Sequence, residues 1–318
     1  MRVASFFAGV GGIDLGFQQA GFEIVYANEI DKNAVKTYET NHNIKVDNRD
    51  INLVKSEEIP DFDVMVAGFP CQAFSVAGLR QGFDDEKGRG ILFFQLERIF
   101  REKDPEIIFL ENVKNLVTHD NGNTFRVIQE KLITAGYHIK HQILNTMKYG
   151  NIPQNRERIY IVAFKDAKKL ENFHFPEEQE LFLKVSDIIN TTEKIDDKYY
   201  YTPEKYPKYF SEELNLSREI NELNEIYQLR RGKYIRKNKK GVCPTLTANM
   251  GTGGHNVPLI YTEHGIRKLT PKECFLFQGF PENFILPSAV SHGELYKQAG
   301  NSVSIPVIKL IAEQIILA

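Results

Sequence analysis

The sequence predicts an α/β protein, a doubly wound, mostly parallel sheet accompanied by a second, smaller and irregular domain. Three observations carry that expectation. From Met1 to about Phe164, short apolar β-rich runs alternate with helical patterns, the signature of βαβ units. Those runs show little alternation of period two, as befits strands covered on both faces. After Phe164 the texture changes: Lys165–Lys240 is charged and rich in Tyr, Asn and Glu, and Gly241–Val257 is rich in Gly, Thr and Asn.

The elements follow in order. Arg2–Phe7, Phe22–Ala27, Asp63–Ala67, Glu106–Leu110, His138–Leu144 and Arg158–Phe164 read as strands, with a further short strand closed by Asp50-Ile51. Ile13–Gln19, Lys32–Thr40, Leu92–Arg101 and Thr124–Thr134 read as the helices between them. In the second part only Ser217–Gln228 has amphipathic helical spacing. The last helix, Ile305–Ile316, is apolar around most of its circumference, so it is expected to be buried and to return to the first domain. The expected division is 1–185 plus 296–318 for the first domain, 186–270 for the second, and 271–295 for a connecting segment.

Composition bounds the function. With 42% hydrophobic and 26% charged residues, the 318-residue chain has a core and is not disordered. Forty basic against forty-two acidic residues exclude a uniformly basic binder but leave room for a locally basic face. Three cysteines without CxxC spacing argue against a disulfide framework or a metal site, and for a reducing compartment. No apolar run approaches the roughly 20 residues of a membrane span, so the expectation is a cytoplasmic protein without a membrane partner.

Candidate site residues collect at strand ends. Phe6-Phe7-Ala8-Gly9-Val10-Gly11-Gly12 follows the first strand and opens the first helix, where an open α/β sheet binds a nucleotide-like ligand. A dinucleotide fingerprint wants glycine at position 14, where Asp14 stands; a first-turn carboxylate repels a pyrophosphate, so an adenosyl ligand without phosphates fits better than NAD. Glu29, 17 residues beyond Gly12, suits two ribose hydroxyls, and Asp50 suits an adenine amino group. The same residues also fit an ordinary tight turn with capping carboxylates. Cys71, just past Pro70 in a polar loop, reads as a reactive thiol rather than a core cysteine. The glycine-rich, charged stretch Ser75–Gly90 after it suits either a lid or a plain surface loop. Glu111 ends a strand on the same edge. A free Glu is protonated about one part in 500 at pH 7, so a donor role requires burial. Arg156 and Arg158 lead into the next strand and, alone, read as a solvated strand entry.

Together these blocks resemble the cytosine-5 DNA methyltransferases. The family's ordered motifs appear as Phe6-Ala8-Gly9-Gly11-Gly12, Asn28-Glu29, Pro70-Cys71-Gln72, Glu111-Asn112-Val113, Gln154…Arg156-Glu157-Arg158, Arg267…Thr270-Pro271…Glu273…Gln278-Gly279-Phe280-Pro281 and Gly300-Asn301-Ser302-Val303. The variable region 165–266 falls where the family places its target recognition domain, and Pro244-Thr245-Leu246-Thr247-Ala248 looks like that domain's Thr-Leu-x-Ala element. Ile30 departs from the aromatic that many members carry, and Arg49 precedes Asp50 where glycine is usual. The chain lacks a long N-terminal extension, which resembles the compact bacterial members.

The resemblance implies S-adenosyl-L-methionine as methyl donor and a Rossmann-like methyltransferase domain beside a recognition domain. It implies cofactor contacts at Phe6, Ala8, Gly9, Gly11, Gly12, Glu29, Ile30, Asp50, Ile51, Pro70, Leu92, Asn301 and Val303. It implies catalysis by Cys71 as nucleophile, Glu111 at the ring nitrogen, and Arg158 with Arg156 at the carbonyl oxygen of a flipped-out cytosine. Expected DNA contacts are Ser75 and Thr245 to phosphate, the basic run with Arg230, Arg231, Lys233, Arg236 and Lys237, and Gly253, Gly254 and His255 at the bases. The expected partner is a specific double-stranded DNA site, with a restriction endonuclease as functional counterpart and a monomeric enzyme. The rival readings are a tRNA cytosine-5 methyltransferase, a nicotinamide-dependent oxidoreductase on the same sheet, and a DNA-binding module without catalysis.

Overall fold

The computed structural model describes residues 1–70, 91–238, 241–252 and 256–318. It divides into two units, Met1–Leu144 with Glu157–Glu177 and Ile305–Ala318, and Asn145–Arg156 with Glu178–Ser304.

The first unit is built on β1 (Arg2–Phe6), β2 (Glu23–Asn28), β3 (Val64–Gly68), β4 (Ile107–Val113), β5 (His138–Asn145) and β7 (Glu157–Phe164), in the order β2-β1-β3-β4-β7-β5. The pairs β1–β2, β1–β3 and β3–β4 are parallel and β4–β7 is antiparallel, so the mostly parallel, doubly wound sheet is present. The strands are buried on both faces: Val64, Met65, Val66 and Ala67 have no exposed surface. One face packs Met65, Ala67, Ile108 and Leu110 against Leu96 and Ile99 of α3 (Ile91–Lys103) and Ile128 and Leu132 of α4 (Asn123–Thr134). On α1 (Gly12–Gln19), Phe17 stacks edge-on against Phe22 and Phe109, each fully buried ring adding about 1.5–3 kcal/mol. The helix α2 (Lys32–Asn41) starts at Asp31, whose side chain accepts from the Asn33 and Ala34 amides, a cap of about 1 kcal/mol. The strand expected to close at Asp50-Ile51 reduces to a single parallel bridge, Asn28–Asp47. Asp50 instead caps a short 3-10 helix, Ile51–Leu53, by accepting from Asn52.

In the second unit, β8 (Tyr227–Arg230), β9 (Tyr234–Lys237), β11 (Leu259–Thr262) and β12 (Gly265–Lys268) form an antiparallel sheet in the order β12-β11-β8-β9. The helix expected at Ser217–Gln228 is not formed. Only Leu216–Glu219 is helical, Asn224 takes a left-handed φ of 62°, and Tyr227-Gln228 open β8. Leu216, Ile220 and Tyr227 have helical spacing but enter one core with Leu229, Leu259 and Ile266, and pairing of Tyr227 with Leu259 overrides the local pattern. A two-residue parallel ladder joins β6 (Gln154–Asn155) to β10 (Cys243–Pro244). Arg267 and Glu273 form a buried bidentate ion pair, and Glu273 completes a capping box with Thr270. The stretch His292–Leu317 is long and apolar enough by composition to cross a membrane. It is nonetheless two helices, His292–Asn301 and Ile305–Leu317, and more than half of its most apolar stretch is buried inside the protein.

Candidate active site

The first unit brings its candidate residues to the C-terminal ends of β1 to β4. The register sets Phe6 beside Asn28 and Ala67, and Gly68 beside Glu111. At strand spacings of about 4.8 Å, the edge from β2 to β4 spans roughly 14 Å.

At its β2 end lies the glycine turn. The Ala8 amide donates to the Asn28 carbonyl at 3.0 Å, and the Gly11 amide to the Ala8 carbonyl at 2.8 Å. Gly11, at φ 82°, is the residue preceding α1, and a Cβ there would lie 2.2 Å from His42 Nε2. Only glycine fits both the backbone and the space. Glu29 accepts from the Gly9 amide at 2.8 Å and from the Asp31 amide at 2.8 Å. Burial pushes its carboxyl above the ordinary value despite these two donors. Among the described residues nothing lies within 4 Å of a Cβ built at Gly9, so this backbone is open to a ligand on that side.

Asp14 sits in the first turn of α1, as the sequence suggested, but its carboxylate is turned into the protein. It is fully buried and accepts from Ser5 Oγ at 2.5 Å and Tyr38 Oη at 2.6 Å, and burial raises its pKa. His42 stacks on Tyr38 at 4.3 Å, and burial lowers its pKa. This polar cluster ties α1 to β1 and α2 beneath the turn. Its members are far apart in sequence, so no local motif announces it.

The other cofactor candidates divide. Ile30 is 60% exposed at the β2 edge. Pro70 is exposed, and Leu92 is half-buried at the start of α3. The Phe6 and Ile51 side chains belong to the core, so only their backbones can face a ligand. Ala8 is half-buried and Gly12 is the first residue of α1. Asn301 and Val303 lie in the second unit, Asn301 exposed and Val303 buried.

At the β4 end, Glu111 is nearly buried, and Arg158 Nε lies 3.0 Å from its Oε1. Arg158 also donates to the Glu157 carbonyl at 2.8 Å, which orients the guanidinium. The neighbouring Asn112, which the sequence placed in the Glu111-Asn112-Val113 motif without a role, donates from Nδ2 to the Phe69 carbonyl at 2.8 Å. It thereby fixes the backbone two residues before Cys71. A buried polar side chain ending an apolar strand was the available signal. Cys71 and Ser75 themselves, like the stretch through Gly90, lie outside the described residues.

The second unit holds the remaining candidates. Arg156 is 2% exposed and donates to the Leu246, Gly300 and Ser302 carbonyls. Thr245 donates to the Asn155 carbonyl at 2.6 Å. Arg230, Arg231, Lys233 and Arg236 are exposed on the β8–β9 hairpin. Arg236 is hydrogen-bonded to Gln228, and Lys237 is paired with Glu222 at 2.7 Å and Glu225 at 3.4 Å. Gly253, Gly254 and His255 lie outside the described residues.

This sheet order, with a glycine turn after β1 and an antiparallel strand beside β4, is that of the Rossmann-like methyltransferase class. Comparison with known proteins narrows the class. The family model for C-5 cytosine-specific DNA methylases matches residues 1–317. The Type II methyltransferase M.Bsp6I of Bacillus sp. (strain RFL6) is 60% identical, covering 99% of this chain and 98% of the relative. The Type II methyltransferase M.HhaI of Haemophilus parahaemolyticus is 38% identical over 99% of this chain and 94% of the relative. Among solved structures, Spodoptera frugiperda DNMT2 superposes with a TM-score of 0.74 at 20% identity, covering 99% of both chains, a likeness of fold. The chain belongs to the C-5 cytosine-specific DNA methylase family.

Proposed function

We propose that this protein is the modification enzyme of a Type II restriction–modification pair, acting in the bacterial cytoplasm as a monomer. It transfers a methyl group from S-adenosyl-L-methionine to carbon 5 of a flipped-out cytosine in a specific duplex sequence. The observation that carries the reading is the edge formed by Gly68, Glu111 and Arg158, with Asn112 fixing the chain that leads to Cys71. The 60% identity to a Type II methyltransferase supports the same substrate.

The glycine turn fits the adenosyl group. The Gly9 amide, which a phosphate would seek, is taken by Glu29, whose carboxylate suits ribose hydroxyls and opposes a pyrophosphate. This restores, on a different residue, the preference that Asp14 does not supply. When bound, the cofactor supplies an electrophilic methyl group. The chain's own residues prepare the base. Extruding it costs a few kcal/mol, offset by phosphate contacts. Cys71 sulfur forms a bond to carbon 6, Glu111 holds a proton at the ring nitrogen, and Arg158 holds the carbonyl oxygen, which makes carbon 5 nucleophilic. After transfer a water molecule takes the carbon-5 proton, the carbon–hydrogen electron pair forms the carbon 5–carbon 6 double bond, and the Cys71–carbon 6 bond breaks with its electron pair returning to the sulfur. The second unit, with its basic hairpin, serves target recognition.

The test is methyl transfer from labelled S-adenosyl-L-methionine to plasmid DNA and to tRNA, followed by bisulfite sequencing of the plasmid. Label at one recurrent DNA sequence is expected. Label in tRNA alone would overturn the reading.

A further inference from the structure

The second unit contains a hydrogen-bonded clamp that gives Arg156 a role other than the catalytic one its place in the sequence suggests. Gln154 and Arg156 grip the two backbone polar groups of one residue. The Leu246 amide donates to Gln154 Oε1 at 3.2 Å, and Arg156 Nη1 donates to the Leu246 carbonyl at 2.8 Å. Between them, the Asn155 carbonyl accepts from Thr245 Oγ1, and Asn155 pairs with Pro244 in the β6–β10 ladder. Three consecutive residues thus hold Pro244, Thr245 and Leu246.

The grip continues to the end of the helix His292–Asn301. Arg156 Nη2 donates to the Gly300 and Ser302 carbonyls, and Gln154 Nε2 to the Phe277 carbonyl at 2.6 Å. Gly300 lies so close to Thr247 that a Cβ there would meet the Thr247 carbonyl carbon at 2.1 Å. An arginine cannot shed its charge, so a buried guanidinium demands its acceptors in place and fixes the geometry around them. Burial and three backbone carbonyl acceptors commit this group to holding backbone.

We propose that Arg156 is a specificity-determining positioning residue. With Gln154 it fixes the Pro244–Ala248 segment against the end of helix His292–Asn301, and it does not touch the pyrimidine. The inference rests on the reading of this segment as part of the DNA-recognition unit.

The experiment compares wild type with R156K and Q154M in the full chain. S-adenosylhomocysteine binding is measured by calorimetry, KM and kcat on plasmid DNA by label transfer, and site discrimination by bisulfite sequencing. Q154M is expected to bind S-adenosylhomocysteine within about twofold of wild type, whereas R156K also loosens the Gly300 and Ser302 carbonyls that flank the cofactor candidate Asn301 and is therefore read on DNA. Both variants are expected to raise KM for DNA and lower the ratio of correct to incorrect sites by at least about tenfold, as a buried backbone group left without its partner implies, with kcat changed less than about threefold. A fall of about 100-fold in kcat for R156K, with KM and discrimination unchanged, would place Arg156 on the substrate and overturn the proposal. If R156K does not fold, Q154M decides alone: lost discrimination supports the clamp and retained discrimination refutes it. Absence of methyl transfer to duplex DNA by wild type would refute the functional reading itself. Transfer by wild type with full discrimination in both variants would refute only the clamp.

Discussion

Replacing Gly11 by alanine tests the construction of the glycine turn most sharply. At φ 82° a non-glycine residue costs about 1–2 kcal/mol in backbone strain. The added Cβ would also lie 2.2 Å from His42 Nε2 and 2.8 Å from two ring carbons. The ring cannot swing away freely, because it stacks on Tyr38, whose hydroxyl is held by Asp14. Such overpacking costs about 1–3 kcal/mol, so G11A should lose roughly 2–5 kcal/mol in all. The assay is urea denaturation of wild type, G11A, H42A and the double variant. In H42A the new methyl group has room, so G11A in that background should cost only the backbone strain, leaving a coupling of about 1–3 kcal/mol. A loss below about 1 kcal/mol for G11A, or no coupling to His42, would refute the account of the turn.

Three further outcomes are expected. N112L strands the buried Phe69 carbonyl, so it should destabilise by about 1–3 kcal/mol and lower kcat by loosening the backbone before Cys71; stopped-flow turnover and urea melts would show both effects. Removing Arg230, Arg231 and Lys233 together should flatten the slope of log K against log salt by about 2.7, at about 0.9 per phosphate contact, in fluorescence-anisotropy titrations of duplex DNA. Stability should depend on pH through the cluster under the turn. Burial raises the Asp14 pKa, so the folded state holds its proton more tightly and stability falls as pH rises from 3.8 through the folded value; burial lowers the His42 pKa, so stability falls as pH drops below 6.5. D14N should flatten the acid limb and H42F the near-neutral one in denaturation measured across pH, each also shifting the other limb because the two groups interact, and unchanged limbs would contradict the placement of these groups.

Much of the first unit was legible in sequence because its signals are local. Apolar runs such as Val64–Ala67, bounded by turns, read as strands buried on both faces, and the residues closing them collect at one edge of the sheet. Glu111 and Arg158 were placed at strand ends because β4 and β7 each announce themselves, and the structure pairs them across that register. What sequence concealed was set by distant partners. Asp14 is the first-turn carboxylate that the sequence announces, but its inward direction is set by Ser5 and Tyr38. Leu216, Ile220 and Tyr227 read as a helix until β11 offers a strand to pair with. Arg156 and Arg158 look alike two positions apart, yet one is buried among backbone carbonyls and the other is paired with a carboxylate. Side-chain type gave their charge, and only the fold gave their direction.

The central claim, attack by the Cys71 sulfur on cytosine carbon 6, is tested most directly with duplex DNA carrying 5-fluorocytosine at the modified position. Fluorine cannot leave as a proton does, so the covalent enzyme–DNA species should accumulate with cofactor present and survive denaturing electrophoresis. Wild type is expected to give that band, and C71S to give neither the band nor methyl transfer. Methylation of duplex DNA by C71S at the wild-type rate would contradict the account.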